Sequence, residues 1–409
     1  MRFRLLRHLL SAFGALAFVA LSLCCSASAS ITQGVVYAFT GGVDGGDAAT
    51  SVTFDTAGHA YVTAVTGGAD GCGTVDRLTP GRGPWSSHTL WTFTCGADGK
   101  NPYGGVTLDA AGNVYGTTVA GGNGGACAGD GCGVVYRIGL RGGERVLYDF
   151  KGGRDGFGPG GPVVFDAHGD LFGATPDGGL HGDGVVYELT PRPYGPWRLH
   201  VVHAFRGLDD GSSGFLGRLH IDGVGDIFGV AELGGAHQAG TVFEVIPGTN
   251  GTWTFVPLHE FVGTPDGAFP YGGVIADPRG DLFGTTYYGG TTGNGAVFEL
   301  RRHPDGKYDE HVLYGFANGS DGANPTSALA FDPAGDIFGT TSAGGGSCGC
   351  GTIFKIDAVT GMESVVHSFG SSSGDGQYPY YGLTPDARGE LFTSTVQGGT
   401  YGQGVIYGM

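Results

Sequence analysis

Seven aspartates, Asp55, Asp109, Asp166, Asp222, Asp277, Asp332 and Asp386, divide the chain at intervals of 54, 57, 56, 55, 55 and 54 residues. Each closes a short apolar segment: SVTFD, GVTLD, PVVFD, RLHID, GVIAD, ALAFD and GLTPD. A period of this length limits the chain to an array of like supersecondary units that bury their apolar faces against one another. Four strand-like segments per unit narrow the choice to a β-propeller.

The stretch GVIADPRGDLFGTTYYGGTTGNGAVFEL shows the unit most clearly. It reads as three strands, VIAD, DLFGTT and GAVFEL, and VLYGF (312–316) supplies a fourth. An Asp-x-x-Gly-[Asn/Asp] turn joins the first two strands. There the Asp carboxylate can accept from backbone amides two residues on, and the glycine accepts a left-handed backbone. The tripeptide Arg279-Gly280-Asp281 falls inside one such turn and is read as part of it. A GGxxGxG loop follows the second strand. Glycine makes up 86 of 409 residues, a fraction that suits disorder or fibre, but its fixed places between Val-, Phe- and Tyr-rich strands assign it to loops. The first position of the first strand is small in most copies, which predicts crowding at a central channel. Fourth strands end in a fixed aromatic, as in TLWTF, VLYDF and VVHAF. His203, His259 and His367 stand where other copies carry Tyr or Trp and are expected to be edge residues.

The mature chain opens on a lone fourth strand, VVYAF (35–39), and ends on a third strand, GVIYGM (404–409). The expected fold is therefore an all-β, seven-bladed β-propeller of four-stranded blades, closed by the N-terminal strand completing the last blade. Such a ring leaves no open sheet edge and is expected to be monomeric.

Residues 1–29 read as an export signal and 30–409 as the propeller. Arg2, Arg4 and Arg7 precede the apolar run Leu9–Leu23, and Ala27-Ser28-Ala29 offers a cleavage site. Leu23 stands where a lipobox before Cys24 or Cys25 needs a small residue. No further segment is long and apolar enough to cross a membrane, and no C-terminal anchor is expected. The protein should be secreted, periplasmic or at the cell surface. Three of the 21 basic residues and none of the 38 acidic ones lie in the leader, which leaves a mature charge of −20. That balance repels phosphate backbones and anionic lipids and argues against nucleic-acid and membrane partners.

Six cysteines remain after the leader. Cys72 precedes a third strand and Cys95 follows its antiparallel partner, so the two ends should meet in a disulfide. Cys127 and Cys132 share one loop. Cys348 and Cys350 are separated by a single glycine, which would strain a bond between them. Nothing here has the spacing of a zinc site.

Together, LYGTT or LFGTT, GGxxGxGxVF, LYxF, GGxDGxxP and DxxGN resemble the GloVer-type tandem repeat of exported bacterial proteins over 35–409. The resemblance implies an exported repeat protein and supplies no catalytic residues. More distantly, DxxGNxY is similar to NHL-type and streptogramin-lyase-like propellers.

Two features could carry chemistry. An Asp-Gly pair recurs at Asp44, Asp98, Asp155, Asp210, Asp266, Asp321 and Asp375, which reads as a capped tight turn or as a ring able to hold calcium. No other cofactor is expected, and no metal ligands are assigned. The second feature is the place where the repeat breaks. The fourth unit brings in Arg218, His220, Glu232 and His237; the third offers His181 with Asp177 and Asp183, and Asp209 and Asp210 lie between them. These form a candidate ligand site, or an acid–base site with an electrostatic stabiliser. The favoured function is an exported, non-catalytic binding or scaffold module for a carbohydrate, peptide or other surface ligand. A propeller lyase or lactone hydrolase on blades three and four is the alternative, and a purely structural envelope component is a third.

Overall fold

In a computed structural model, residues 33–409 are described apart from 49, 128, 209 and 213–216, and the leader read at 1–29 lies outside them. Seven small antiparallel sheets form a ring, a seven-bladed propeller. Blade two is typical, with Val106–Leu108, Val114–Thr118, Val134–Ile138 and Glu144–Asp149 paired in chain order. One 3-10 turn, Thr249–Gly251, interrupts the strands of blade four.

Most inner strands are shorter than the five-residue segments of the sequence. In blades one, three, four, six and seven each spans two residues, such as Thr53–Phe54 and His220–Ile221, whereas that of blade five runs over Ala268–Ala276. The inner strands are crowded. A Cβ on Gly105 would run into the Ser51 hydroxyl, one on Gly273 into the Arg218 carbonyl, and one on Gly382 into the Ala328 carbonyl. Neighbouring inner strands thus touch backbone to backbone, and Arg218 even pairs with Gly273 in parallel.

The GTT signature has a distinct task for each residue. A side chain on the glycine would strike the buried third-strand aromatic opposite, as at Gly116 against Tyr136 and Gly229 against Phe243. The first hydroxyl reaches the next blade, with Thr117 donating to Gly161 (2.9 Å) and Thr285 to Ser327 (3.0 Å). The second holds its own glycine loop, with Thr118 donating to the Ala120 carbonyl (2.9 Å) and accepting from the Val134 amide. Between blades, the tryptophans of the third hairpin reach back one blade. Trp85 packs on Phe392, Trp197 on Tyr115 and Trp253 on Phe172.

Closure follows the expected route. Gly34–Ala38 pairs antiparallel with Val405–Gly408 as the outermost strand of blade seven. Trp85 of blade one donates its amide to Val36 of this strand (2.9 Å). Three disulfides, Cys72–Cys95, Cys127–Cys132 and Cys348–Cys350, tie loops on the blades.

The seam beside the closing strand contains a buried carboxyl. Blade one has Asp76 where the other third strands carry Tyr or Phe, and the facing glycine has become Val62. Thr74 and Thr89 donate to Asp76 at 2.5 and 2.6 Å. Burial nevertheless pushes its pKa up to about 7, since desolvation disfavours the charged form.

Deleting residues 34–38 should destroy the single cooperative melt of a monomer, read by calorimetry and size-exclusion chromatography. An unchanged melt would refute closure by this strand. Because the folded pKa of Asp76 lies above its unfolded value of 3.8, this group's contribution to stability should be greatest below that value and fall as pH rises from about 4 to about 7. The slope from this one group is at most about 1.4 kcal/mol per pH unit. Denaturant titrations of Asp76→Asn across that window should show the slope removed.

Candidate functional site

The seven Asp-Gly aspartates sit in one repeated clamp. In the fourth strand the register shifts at the same place in every blade, so that an apolar residue such as Leu147 or Leu258 is left over opposite the third strand. The bulge aims the next side chain at the aspartate of the following turn. Tyr37 meets Asp44 at 2.7 Å, Tyr148 meets Asp155 at 3.0 Å, and Tyr314 meets Asp321 at 3.1 Å. Trp91 meets Asp98 at 3.3 Å. His203, His259 and His367 meet Asp210, Asp266 and Asp375 in the same way. Each carboxylate also accepts the amide at the start of its turn, such as Arg206 N–H on Asp210 at 2.8 Å. The capped-turn reading thus accounts for these aspartates. Among the described residues no group of three His, Cys, Asp or Glu is arranged to hold a metal ion. The recurring aspartates after the first strands cap their own turns likewise. Asp281 of the Arg-Gly-Asp tripeptide is buried and takes the Arg302 amide at 2.8 Å.

The principal cavity runs along the propeller axis. It has a volume of about 730 Å³ and is walled by inner-strand residues of all seven blades. The wall is mostly glycine, alanine, threonine and aliphatic side chains, and blade four places Arg218 and His220 in it. Arg218 is open to the channel yet enclosed by its wall, and this enclosure alone pulls the guanidinium pKa below its ordinary value. Among the described residues no carboxylate pairs with it. Burial, aided by Arg218 and opposed by Asp222, pulls His220 below the usual imidazole range.

One end of the channel is rimmed by tyrosines. Tyr103, Tyr271 and Tyr380 occupy the same position in blades two, five and seven, and Tyr381 follows in blade seven. Their phenols affect one another. The Tyr271 pKa is raised by burial and then by Glu232, Tyr380, Tyr287 and Tyr103. The Tyr381 pKa is raised by burial and then by Tyr271, Tyr103 and Asp47. These couplings place Glu232 and Asp47 at the same rim. Tyr287 lies 6.3 Å from Tyr271, ring to ring. The backbone just before the rim is left-handed at Asp47, Asn101, Phe269, Asn324 and Tyr378. Asp and Asn tolerate that conformation, but Phe269 and Tyr378 carry a steric cost of roughly 1–2 kcal/mol each to present the tyrosines two residues on.

The residues singled out in the sequence therefore separate. Arg218 and His220 share the channel wall, and Glu232 stands at the tyrosine rim. Asp210 is buried in its clamp with His203. His181 and His237 are exposed in the loops after the second strands of blades three and four, and no described contact joins them to Arg218. Asp209 lies outside the described residues. The tyrosines were not anticipated, although Pro-Tyr-Gly-Gly at 102–105 and 270–273 and Pro-Tyr-Tyr-Gly at 379–382 mark them.

The architecture defines a propeller with an axial, ligand-sized channel. The chain belongs to the Gloeobacter/Verrucomicrobia repeat family, whose repeat matches residues 26–219 and 215–409. No curated protein matches it in sequence. Among solved structures it is similar to the extracellular domain of a putative one-component system from B. thetaiotaomicron, at 12% identity and a TM-score of 0.52. That match covers 88% of this chain and 37% of the other, so the chain spans little more than a third of that protein's length. A putative 6-phosphogluconolactonase from Bacteroides uniformis matches at 14% identity and a TM-score of 0.50, over 78% of this chain and 84% of that one. At such identities these likenesses show the fold alone.

The clamps have a pH signature. Burial raises the Asp210 and Asp375 carboxyls, but hydrogen bonds from His203 and His367, with those of backbone amides, outweigh it and leave both below the ordinary 3.8. Their contribution to stability is present above pH 4 and lost as pH falls through the folded pKa values. Asp375→Asn should cost about 1–3 kcal/mol at pH 7 and flatten the loss of stability in acid, measured by urea unfolding between pH 2 and 7.

Proposed function

We propose that this protein is an exported, non-catalytic binding module that takes a small polar ligand at the tyrosine-rimmed end of its axial channel. The observation that carries the reading is Arg218, a guanidinium on the cavity wall that is open to the channel and has no paired carboxylate among the described residues. Its planar fork of donors is therefore available to an anionic group that enters the channel. The cavity volume lies within the range of about 300–1,000 Å³ typical of small-molecule sites. Export is supported by the leader-like residues 1–29 and by three disulfides, which persist in oxidising compartments. The acidic charge of the chain disfavours nucleic acid as the partner. An acid–base reading of blades three and four finds less support, since His181, His237 and Asp210 are held apart from Arg218 by the roles described above.

Thermal shift of the mature protein against neutral oligosaccharides, acidic oligosaccharides, short peptides and lactones tests this. At about 100-fold excess over Kd, a true ligand class should raise the Tm by a few degrees. Thr384→Trp, which plugs the channel wall, should abolish the rise. A rise that survives the plug would move the site elsewhere, hydrolysis of a lactone would favour an enzyme, and no response to any class would favour a structural envelope component.

A further inference from the structure

The chemistry of the channel narrows the ligand further. Resting on the binding reading, we propose that the ligand is an acidic saccharide whose uronate carboxylate enters the channel and pairs with Arg218 while its sugar rings lie against the tyrosine rim.

Three features converge on this class. First, the charge in the channel is a guanidinium, whose planar fork matches a carboxylate through two parallel hydrogen bonds. Arg218 is the one Lys or Arg among the residues lining the cavity, which suits a monoanionic group. Second, the cavity wall is largely apolar, with the Thr384 hydroxyl set among aliphatic side chains. A sugar ring has the same mixture, with C–H faces and a belt of hydroxyls. Third, the rim is aromatic and polar at once. Tyr380 is 37% exposed and lines the cavity, and Tyr103, Tyr271 and Tyr380 gather at one place. Glu232 and Asp47 add negative charge at the same rim. They disfavour a polyanion, as does the acidic surface as a whole, and this selects a ligand with isolated carboxylates over a phosphate-rich chain.

The register explains why blade four holds the cation. Arg218 occupies the first-strand position that is Gly105, Gly273 or Gly382 elsewhere, and its backbone pairs with Gly273, two residues beyond Tyr271. Arg218 therefore lies one step below the rim, where a carboxylate reaches it with the rest of the sugar still among the tyrosines.

The test is isothermal titration of the mature protein with glucuronosyl-xylobiose, an acidic trisaccharide with a single uronate, its methyl ester and maltotriose. The acid should bind at least tenfold more tightly than its ester, and its affinity alone should fall as NaCl is raised. Arg218→Met should erase the tenfold preference without lowering the Tm of the free protein, because it removes an enclosed charge and leaves the wall filled. Arg218→Lys should keep part of the preference. Equal affinity for acid and ester, or a preference that survives in Arg218→Met, would overturn the carboxylate assignment and leave the binding reading standing. Binding of a short acidic peptide through Arg218 with no saccharide binding would overturn the saccharide. A lack of response to all these probes and to the wider ligand panel would overturn both readings.

Discussion

The clamp between a bulged fourth strand and the aspartate of the next turn is the contact on which the blades depend. It fixes the end of one blade and the start of the connection to the following one with the same side chain. The partner on the strand is Tyr, Trp or His according to the blade, and the carboxylate accepts from all three at 2.7–3.3 Å. The bulge lets two successive residues serve opposite ends. Leu147 turns into the core while Tyr148 turns to Asp155. The fully buried ring that follows, Phe150 in blade two, then packs edge-on against Tyr187 of blade three at 5.2 Å. Strand, turn and blade contact are thus settled within four residues.

The hydroxyls of GTT complete the ring from the inside, and they are not distributed evenly. Blades two, five, six and seven each send the first hydroxyl to the next blade. Blade three has Ala174 at that place and blade four has Val230, and neither can make the bond. Blade four has also lost the second hydroxyl, to Ala231, and carries Glu232 next. Blade four, which lacks both hydroxyls, is the copy that carries Arg218. The departure from the repeat affects the inner wall and the rim of that blade.

Architecture was legible in the sequence because it is written seven times. Asp109, Asn113 and the glycine between them form the same turn as Asp332, Asp336 and theirs, so one unit predicts the others. Closure by residues 35–39 followed from counting strands, with the strand observed at Gly34–Ala38, and the Cys72–Cys95 bridge from the antiparallel ends it joins. Most inner strands came out shorter than their sequence segments, that of blade five longer. The site was only half legible. Arg218, His220 and Glu232 stood out by departing from the repeat, and the structure brings them to the channel and its rim. Asp210, chosen for its position between units three and four, obeys the repeat and serves the clamp. The tyrosines were passed over because they sit in the link between blades, where periodicity is weak, and a tyrosine in a β protein usually signals core. Only the ring shows that positions 103, 271 and 380, far apart in the chain, face one opening.

Closure of the last blade has a kinetic side. Gly34 pairs with Gly408, so the first described strand has to wait for the last residues of the chain before its sheet exists. Blades one to six can each form from a contiguous stretch of about 55 residues, with contacts that are local by the standards of β proteins. The seventh cannot. While the chain is being made, Val36 and Tyr37 have no sheet to join and Trp85 has no Phe392 to cover. The ring is therefore an open arc until Val405–Gly408 has been made, and its closure is a long-range encounter with Gly34–Ala38.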